Sequence, residues 1–353
     1  MKRPTLSFPG LAVLAAFLLM PSAARPAEGP PPLSLEMPVR CIPAKTCWVV
    51  NYVDLDPSDG VRDYACGTAT YNVPSKQGNR HKGTDIAIRD LGEMRRGVEV
   101  LAAAAGKVIG VRDGMADVSV RKIGVKALKG KLCGNRLGIL HPGGWLTQYC
   151  HLRQGSVAVA NGDRVKAGQP IGLVGLSGFT EYPHLHLEVI KKTGKGQKTI
   201  DPFIGLTRQA KCGTGDNPLW KRDVLAGFPY RPTAIYNAGF ASTKPDPKAA
   251  RDGRYRDKAL SGQSPALVLW AEIFHVRKGD KLIFDIRGPE GKGLLFFTDT
   301  ILKNQVRRFA FAGKPQKGGP WPPGVYTGVV RLVREKGPRG DEAFSLVRQV
   351  TLR

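Results

Sequence analysis

Apolar and polar residues alternate in short runs along most of the chain. Leu146 to Leu152, Val165 to Leu176 and His184 to Ile190 carry the two-residue period of half-buried strands. Leu137 to Leu140 and Trp145 to Tyr149 flank His141-Pro-Gly-Gly144, the pattern of a hairpin. From about residue 256 the pattern returns in six segments. They are Ala266 to Phe274, Lys281 to Arg287, Gly293 to Thr298, Gln305 to Phe311, Gly324 to Val333 and Ala343 to Leu352. Turn signals at Lys278 to Asp280, Pro315 to Pro323 and Gly337 to Gly340 separate them. Short strands with that punctuation predict an immunoglobulin-like β-sandwich over 256–353. There is no internal repeat and no heptad pattern. Residues 213–255 are rich in Gly, Pro, Lys and Asp and read as a linker or extension. The fold class expected is mainly β, in two domains: an antiparallel sheet domain over 41–212, then the sandwich.

Composition narrows this only a little. A chain of 353 residues is long enough for two cores. Its 43 Gly and 27 Pro favour short strands and turns over long helices. Its apolar share of 42% is ordinary for a globular protein and excludes wholesale disorder.

The N-terminus sets the compartment. Lys2 and Arg3 precede an apolar run, Leu11 to Met20, and small residues follow at Ser22, Ala23 and Ala24. That is the pattern of a secretory signal over 1–24, and the run is short for a membrane span. Residues 25–40 hold five prolines and read as an extended leader. No later stretch approaches membrane length. Export makes the six cysteines disulfide candidates. Six allow 15 pairings. Cys133–Cys150 would close the ends of the predicted hairpin, Cys41–Cys47 a small loop, and Cys66–Cys212 the two ends of the first domain. No CxxC pair supports a cysteine metal site.

The histidines carry the chemistry. His81 and Asp85 stand four apart in His-Lys-Gly-Thr-Asp. His184 and His186 stand two apart, so with Glu188 they share one strand face while Leu185, Leu187 and Val189 point to a core. By the same alternation Thr147, Tyr149 and His151 share a face and Cys150 takes the other. Zinc suits such donors: three N/O ligands leave a position for water and lower its pKa from about 15.7 toward about 7. Imidazoles that hold no metal can exchange protons near neutral pH. Strand geometry alone leaves open which of His184 and His186 is a ligand. His141, in the hairpin turn, and His275, in the C-terminal domain, read as structural. No H-E-x-x-H helix occurs.

Taken together these segments resemble the lysostaphin/LytM-type zinc metallopeptidases, which cut bacterial cell-wall peptides. The family's H-x-G-x-D is similar to His81-Lys-Gly83-Thr-Asp85, and its T-x-Y-x-H-L to Thr147-Gln-Tyr149-Cys-His151-Leu152. Its G-x-x-V-x-x-G-Q-x-I-G is similar to Gly162 through Gly172, and its P-H-L-H-x-E to Pro183-His184-Leu185-His186-Leu-Glu188, closed by Asp201-Pro202. The likeness spans roughly 66–202. It implies one Zn2+ per chain on His81, Asp85 and His186, with His151 and His184 as the catalytic pair. It implies an exported endopeptidase of the periplasm or envelope, acting on peptidoglycan stems or cross-links. The rival reading is a catalytically silent activator of another wall hydrolase, which predicts a broken ligand set; all five positions are filled. Tyr182 stands where many members have Gly before Pro-His-Leu-His, and Asn72 to Arg80 forms a polar segment ahead of the first motif. The net charge of +25 suits a polyanionic envelope target. Nucleic acid is disfavoured by the export signal and the lack of a recognisable motif. The sequence does not speak to oligomeric state.

Overall fold

The computed structural model describes residues 1, 33–72, 80–207, 211–256, 259–337 and 340–353. The segment expected from sequence to be a signal, beyond residue 1, the first part of the expected leader and most of the Asn72 to Arg80 segment lie outside the described residues. Leu33, Leu35 and Val39 at the leader's end are buried in the first core, and Leu35 N–H bonds Leu219 O at 2.7 Å. These apolar side chains pull the end of the proline-rich stretch into the domain instead of leaving it extended.

The protein is mainly β and its sheets are antiparallel. Among the described residues ten strands precede residue 200: β1 (Cys47–Asn51), β2 (Gly83–Ile88), β3 (Glu99–Leu101), β4 (Gly106–Arg112), β5 (Asn135–His141), β6 (Trp145–Leu152), β7 (Arg164–Val165), β8 (Pro170–Leu173), β9 (His184–Thr193) and β10 (Gly196–Thr199). The large sheet runs β1-β2-β9-β6-β5-β4-β7, with β10 on β9; β3 and β8 form a separate ladder. One face of that sheet is core. Tyr149, Leu185 and Leu187 have no exposed surface, each contributing roughly 1.5–3 kcal/mol by burial. The hairpin predicted around His141 forms as β5 and β6, joined by Pro142–Gly144. The alternating run Val165 to Leu176 is two strands, because Lys166–Gln169 turns the chain between β7 and β8.

Seven more strands follow among the described residues: β11 (Ala234–Ala241), β12 (Ala266–Val276), β13 (Lys281–Arg287), β14 (Gly293–Thr300), β15 (Gln305–Pro315), β16 (Gly324–Gly337) and β17 (Gly340–Leu352). They form two sheets, β11-β12-β15 and β14-β13-β16-β17. A shared core takes Leu269 and Ile273 from one sheet and Phe284, Ile286, Val330 and Leu332 from the other. Near the start of β16, Tyr326 donates to Pro322 O at 2.9 Å, the bond of a tyrosine corner. This architecture is compatible with an immunoglobulin-like sandwich. Its first strand, β11, lies inside the stretch that reads from sequence as a linker. Every residue of β11 is buried, so no alternation marked it.

The three disulfides join Cys41–Cys47, Cys66–Cys212 and Cys133–Cys150, the pairings expected from the sequence. Among the described residues no helix is long and apolar enough to cross a membrane.

Candidate metal centre

Register builds the site. Across the β2–β9 ladder Asp85 faces His186 and Ala87 faces His184; across β1–β2 Asn51 faces Asp85. Directly paired residues share a face, so Asn51, Asp85 and His186 meet on the face opposite the core. His81 precedes β2. The donor atoms of His81, Asp85 and His186 lie within 4.8 Å of one another. His81 Nε2 is 3.0 Å from Asp85 Oδ1 and 3.1 Å from His186 Nδ1, and His186 Nδ1 is 2.9 Å from Asp85 Oδ1.

Gly83 owes its lack of a side chain to this packing. A Cβ there would sit 2.6 Å from His186 Cε1 and Nε2, so any larger residue displaces that ring. The glycine of the His81-to-Asp85 motif therefore serves the partner strand.

Neighbouring groups aim the donors. His81 Nδ1–H donates to Tyr52 O at 2.6 Å, which turns Nε2 toward the cluster. Tyr71 stacks on the His81 ring at 4.5 Å. Asn51 Nδ2 donates to Asp85 Oδ2 at 2.8 Å, leaving Oδ1 facing both imidazoles. Burial would raise the Asp85 carboxyl, but the neighbouring imidazoles His81, His184 and His186 hold it well below the usual carboxylate range. Burial would lower His81, yet the Asp85 charge and hydrogen bond lift it above the usual histidine value.

Two further imidazoles stand beside the cluster. The His151 and His184 rings are 4.7 Å apart. His151 Nδ1–H donates to Ser177 O at 2.7 Å and His184 Nδ1–H to Tyr182 O at 3.0 Å. Each ring therefore keeps Nε2 as its free lone pair. His184 Nε2 is buried without a hydrogen-bond partner and lies 3.5 Å from Asp85 Oδ1. Burial, with the neighbouring imidazoles His184 and His186, drives His151 well below the usual histidine value.

His151 reaches this face by breaking the strand's alternation. Tyr149 faces Leu187 on the core side and Cys150 faces His186 on the site side. Regular alternation, expected from the sequence, would keep His151 on the face of Thr147 and Tyr149, and that face is the core side. Instead the β5–β6 register slips between Asn135 and Leu137, and His151 takes a left-handed φ of 62°. Its N–H bonds Cys133 O at 2.9 Å and its carbonyl accepts from Gly175 at 3.0 Å, outside the ladder. The bulge re-aims the imidazole. Thr147 and Tyr149 stay behind in a separate network, with Thr147 bonded to His141 and Tyr149 OH accepting from Ala103 N–H.

The structure thus brings together all five residues singled out by sequence: His81, Asp85, His186, His151 and His184. Glu188, on the same strand face, is held by Thr199 and Gln148 away from the cluster. Sequence reasoning missed Asn51, Ser177 and the part played by Tyr182, whose ring packs at 4.6 Å on His184 and whose OH accepts from Asn51. Asn51 and Ser177 sit in no recognisable motif, and two of the anchoring groups, Tyr52 O and Ser177 O, are backbone carbonyls that any residue supplies. Beside His81 lies a cavity of about 740 Å³ bordered by Arg62, Arg80, Lys82 and Lys198.

The donor set fits a divalent metal. Two imidazole nitrogens and a carboxylate oxygen converge, with the second atoms of His81 and Asp85 already tied to Tyr52 O and Asn51, and the unpartnered Nε2 of His184 lies alongside.

Residues 79–202 match peptidase family M23. The glycyl-glycine endopeptidase ALE-1 of Staphylococcus capitis is 40% identical over 85 residues, 24% of this chain and 22% of that protein. The peptidoglycan DD-endopeptidase ShyB of Vibrio cholerae is 36% identical over 110 residues, 31% of this chain and 20% of that protein. Each likeness thus spans a quarter or less of the curated relative. Among solved structures, the catalytic domain of the prophage-encoded M23 protein EnpA of Enterococcus faecalis is 27% identical. It covers 38% of this chain and 87% of that one, with a TM-score of 0.27, too low to bear on the fold.

Proposed function

Residues 79–202 form a peptidase family M23 domain of LytM type, and from that premise we propose that the protein is an exported zinc metalloendopeptidase that cuts peptide bonds in peptidoglycan stems or cross-links. One observation carries the reading: the donor atoms of His81, Asp85 and His186 gather within 4.8 Å, with the buried, unpartnered Nε2 of His184 beside them. His81, Asp85 and His186 would hold one zinc ion. When bound it supplies Lewis acidity to a carbonyl and acidity to a water.

The protein's own residues handle the proton. His151 and His184 each present Nε2 as a lone pair, since Nδ1–H is committed to Ser177 O and Tyr182 O. One takes the proton of the attacking water and returns it to the leaving amine; the other, carrying at Nε2 a proton taken up from solvent beforehand, donates a hydrogen bond to the tetrahedral oxyanion and keeps that proton as the oxyanion collapses. Desolvation of His151 keeps it neutral and ready to accept. Asn51 holds Asp85 Oδ2 and so fixes the direction of Oδ1. The +25 net charge favours an acidic polymer such as peptidoglycan. Three disulfides among the six cysteines fit an oxidising compartment and hence export.

Purified sacculi incubated with the protein test the reading. New amino groups should appear, and a zinc chelator should stop their release. His184→Ala should retain zinc yet lose at least about 100-fold in turnover. Unchanged sacculi together with stimulation of a second wall hydrolase would favour the silent activator and sink the peptidase.

A further inference from the structure

We propose that His275, from the C-terminal sandwich, is a positioning residue for the metal ligand Asp85, acting through Asn51. The inference rests on the reading of His81, Asp85 and His186 as metal ligands. It adds that the second domain completes their support.

The contact runs through one side-chain amide. Asn51 Nδ2 donates to Asp85 Oδ2 at 2.8 Å and to Tyr182 OH at 2.9 Å. On its other side Asn51 Oδ1 lies 2.9 Å from His275 Nε2, and the same nitrogen lies 2.8 Å from Val50 O. A backbone carbonyl only accepts, so Nε2 carries the hydrogen. A ring N–H at that place requires oxygen, not nitrogen, on the facing end of the amide. His275 therefore selects the orientation of Asn51 that points Nδ2 at the carboxylate. With the amide reversed, an oxygen would face Asp85 Oδ2 and repel it. Burial pulls His275 down to about 4, so at neutral pH the ring is uncharged.

His275 is itself built into place. It adopts a left-handed φ of 52°, unusual for a non-glycine residue at the end of a strand. Its carbonyl accepts from Arg334 Nη2 at 2.9 Å, and Arg334 grips Asp280 through two bonds of 2.8 Å. Arg334 and Asp280 are 3% and 2% exposed. Next to it, Phe274 packs on the Tyr182 ring at 4.9 Å, and Trp48, Val50, Ala87 and Tyr236 close the same apolar cluster. Strong local interactions thus hold a strained residue whose ring hydrogen-bonds Val50 O and Asn51 Oδ1 on β1, one strand away from Asp85.

Zinc affinity of the full chain, measured by competition with a chromophoric chelator, decides the matter. His275→Ala should weaken zinc binding by about 10- to 100-fold, the range expected for a lost supporting bond to a ligand. His275→Gln, which carries an N–H at the end of its side chain, should recover most of that loss. Should His275→Ala fail to fold, His275→Phe keeps the bulk, removes the donor and should show the same loss. Asn51→Ala should weaken binding similarly, and the double variant little further, because both act on one path. Unchanged affinity in the Ala or Phe variant overturns the proposal. So does an equal loss in Ala, Phe and Gln that merely tracks lower stability of the metal-free protein. A parent protein that binds no zinc refutes the metal site itself, a result distinct from either.

Discussion

At the scale of single residues, the site separates donors that a sequence displays from orientations that it hides. Asp201, in the Asp-Pro pair that closes the matched region, illustrates the hidden part. Its side chain is 4% exposed and only Oδ1 is bonded, to Phe203 N–H at 2.8 Å. Burial, reinforced by the charge of Asp63, raises its pKa from 3.8 to about 7. The folded protein therefore keeps this acid protonated where the unfolded chain has ionised it. The resulting stabilisation is full below about 3.8 and is lost as pH rises through about 7, on the order of 4 kcal/mol in all. Asp201→Asn, fixed in the neutral form, should gain on the parent between pH 4 and pH 8. Urea midpoints of both proteins at pH 4.5, 6 and 8 measure the gap; a gap that stays constant or narrows refutes the account. The types and spacing of His81, Asp85, His184 and His186 were legible in the chain, because ligand chemistry needs those side chains. The partners that turn them were not, since Tyr52 O, Ser177 O and Tyr182 O are backbone atoms brought in by tertiary folding.

At the scale of elements, periodicity located strands wherever one face met water and failed where both faces were covered. β9 shows its alternation plainly; β11, buried throughout, does not. The bulge in β6 was equally silent, because nothing in Tyr149-Cys-His151 announces a left-handed residue. Its anchor is the Cys133–Cys150 disulfide, which ties the loop before β5 to the residue preceding His151. The bond between His151 N–H and Cys133 O lies beside it. Cys133→Ser with Cys150→Ser should therefore disturb the aim of His151 more than the ligands on β2 and β9. The expected outcome is a fall in kcat of about 10-fold or more, with bound zinc near the parent's level, since misplaced reacting groups cost rate steeply. Metal content by atomic absorption beside turnover on sacculi checks the split. Loss of zinc in step with activity would show that the disulfide serves the whole fold and not the bulge.

At the scale of the molecule, the second disulfide and an aromatic cluster fasten residues 52–66 to residues 203–230. Tyr52, Tyr64, Phe203 and Tyr230 meet ring to ring, with Tyr64 stacked on Phe203 at 4.6 Å and Tyr52 at 5.4 Å from Tyr230. Tyr52 also supplies the carbonyl that orients His81, so packing here reaches the site. Cys66–Cys212 closes the same region across a separation of 146 residues, against 6 for Cys41–Cys47. If disulfides act by restricting the unfolded chain, the long closure should contribute about 5 kcal/mol and the short one about 2 kcal/mol. Paired Cys→Ser variants should follow that order in their denaturant midpoints, provided unfolding stays two-state. The Cys66–Cys212 pair should show the added effect of weaker zinc binding, because loosening Tyr52 frees the His81 ring. The Cys41–Cys47 pair, at the start of β1, should lower stability with zinc affinity held. If the short closure proved the costlier of the two, native-state packing around it, and not chain entropy, would govern how this fold resists unfolding.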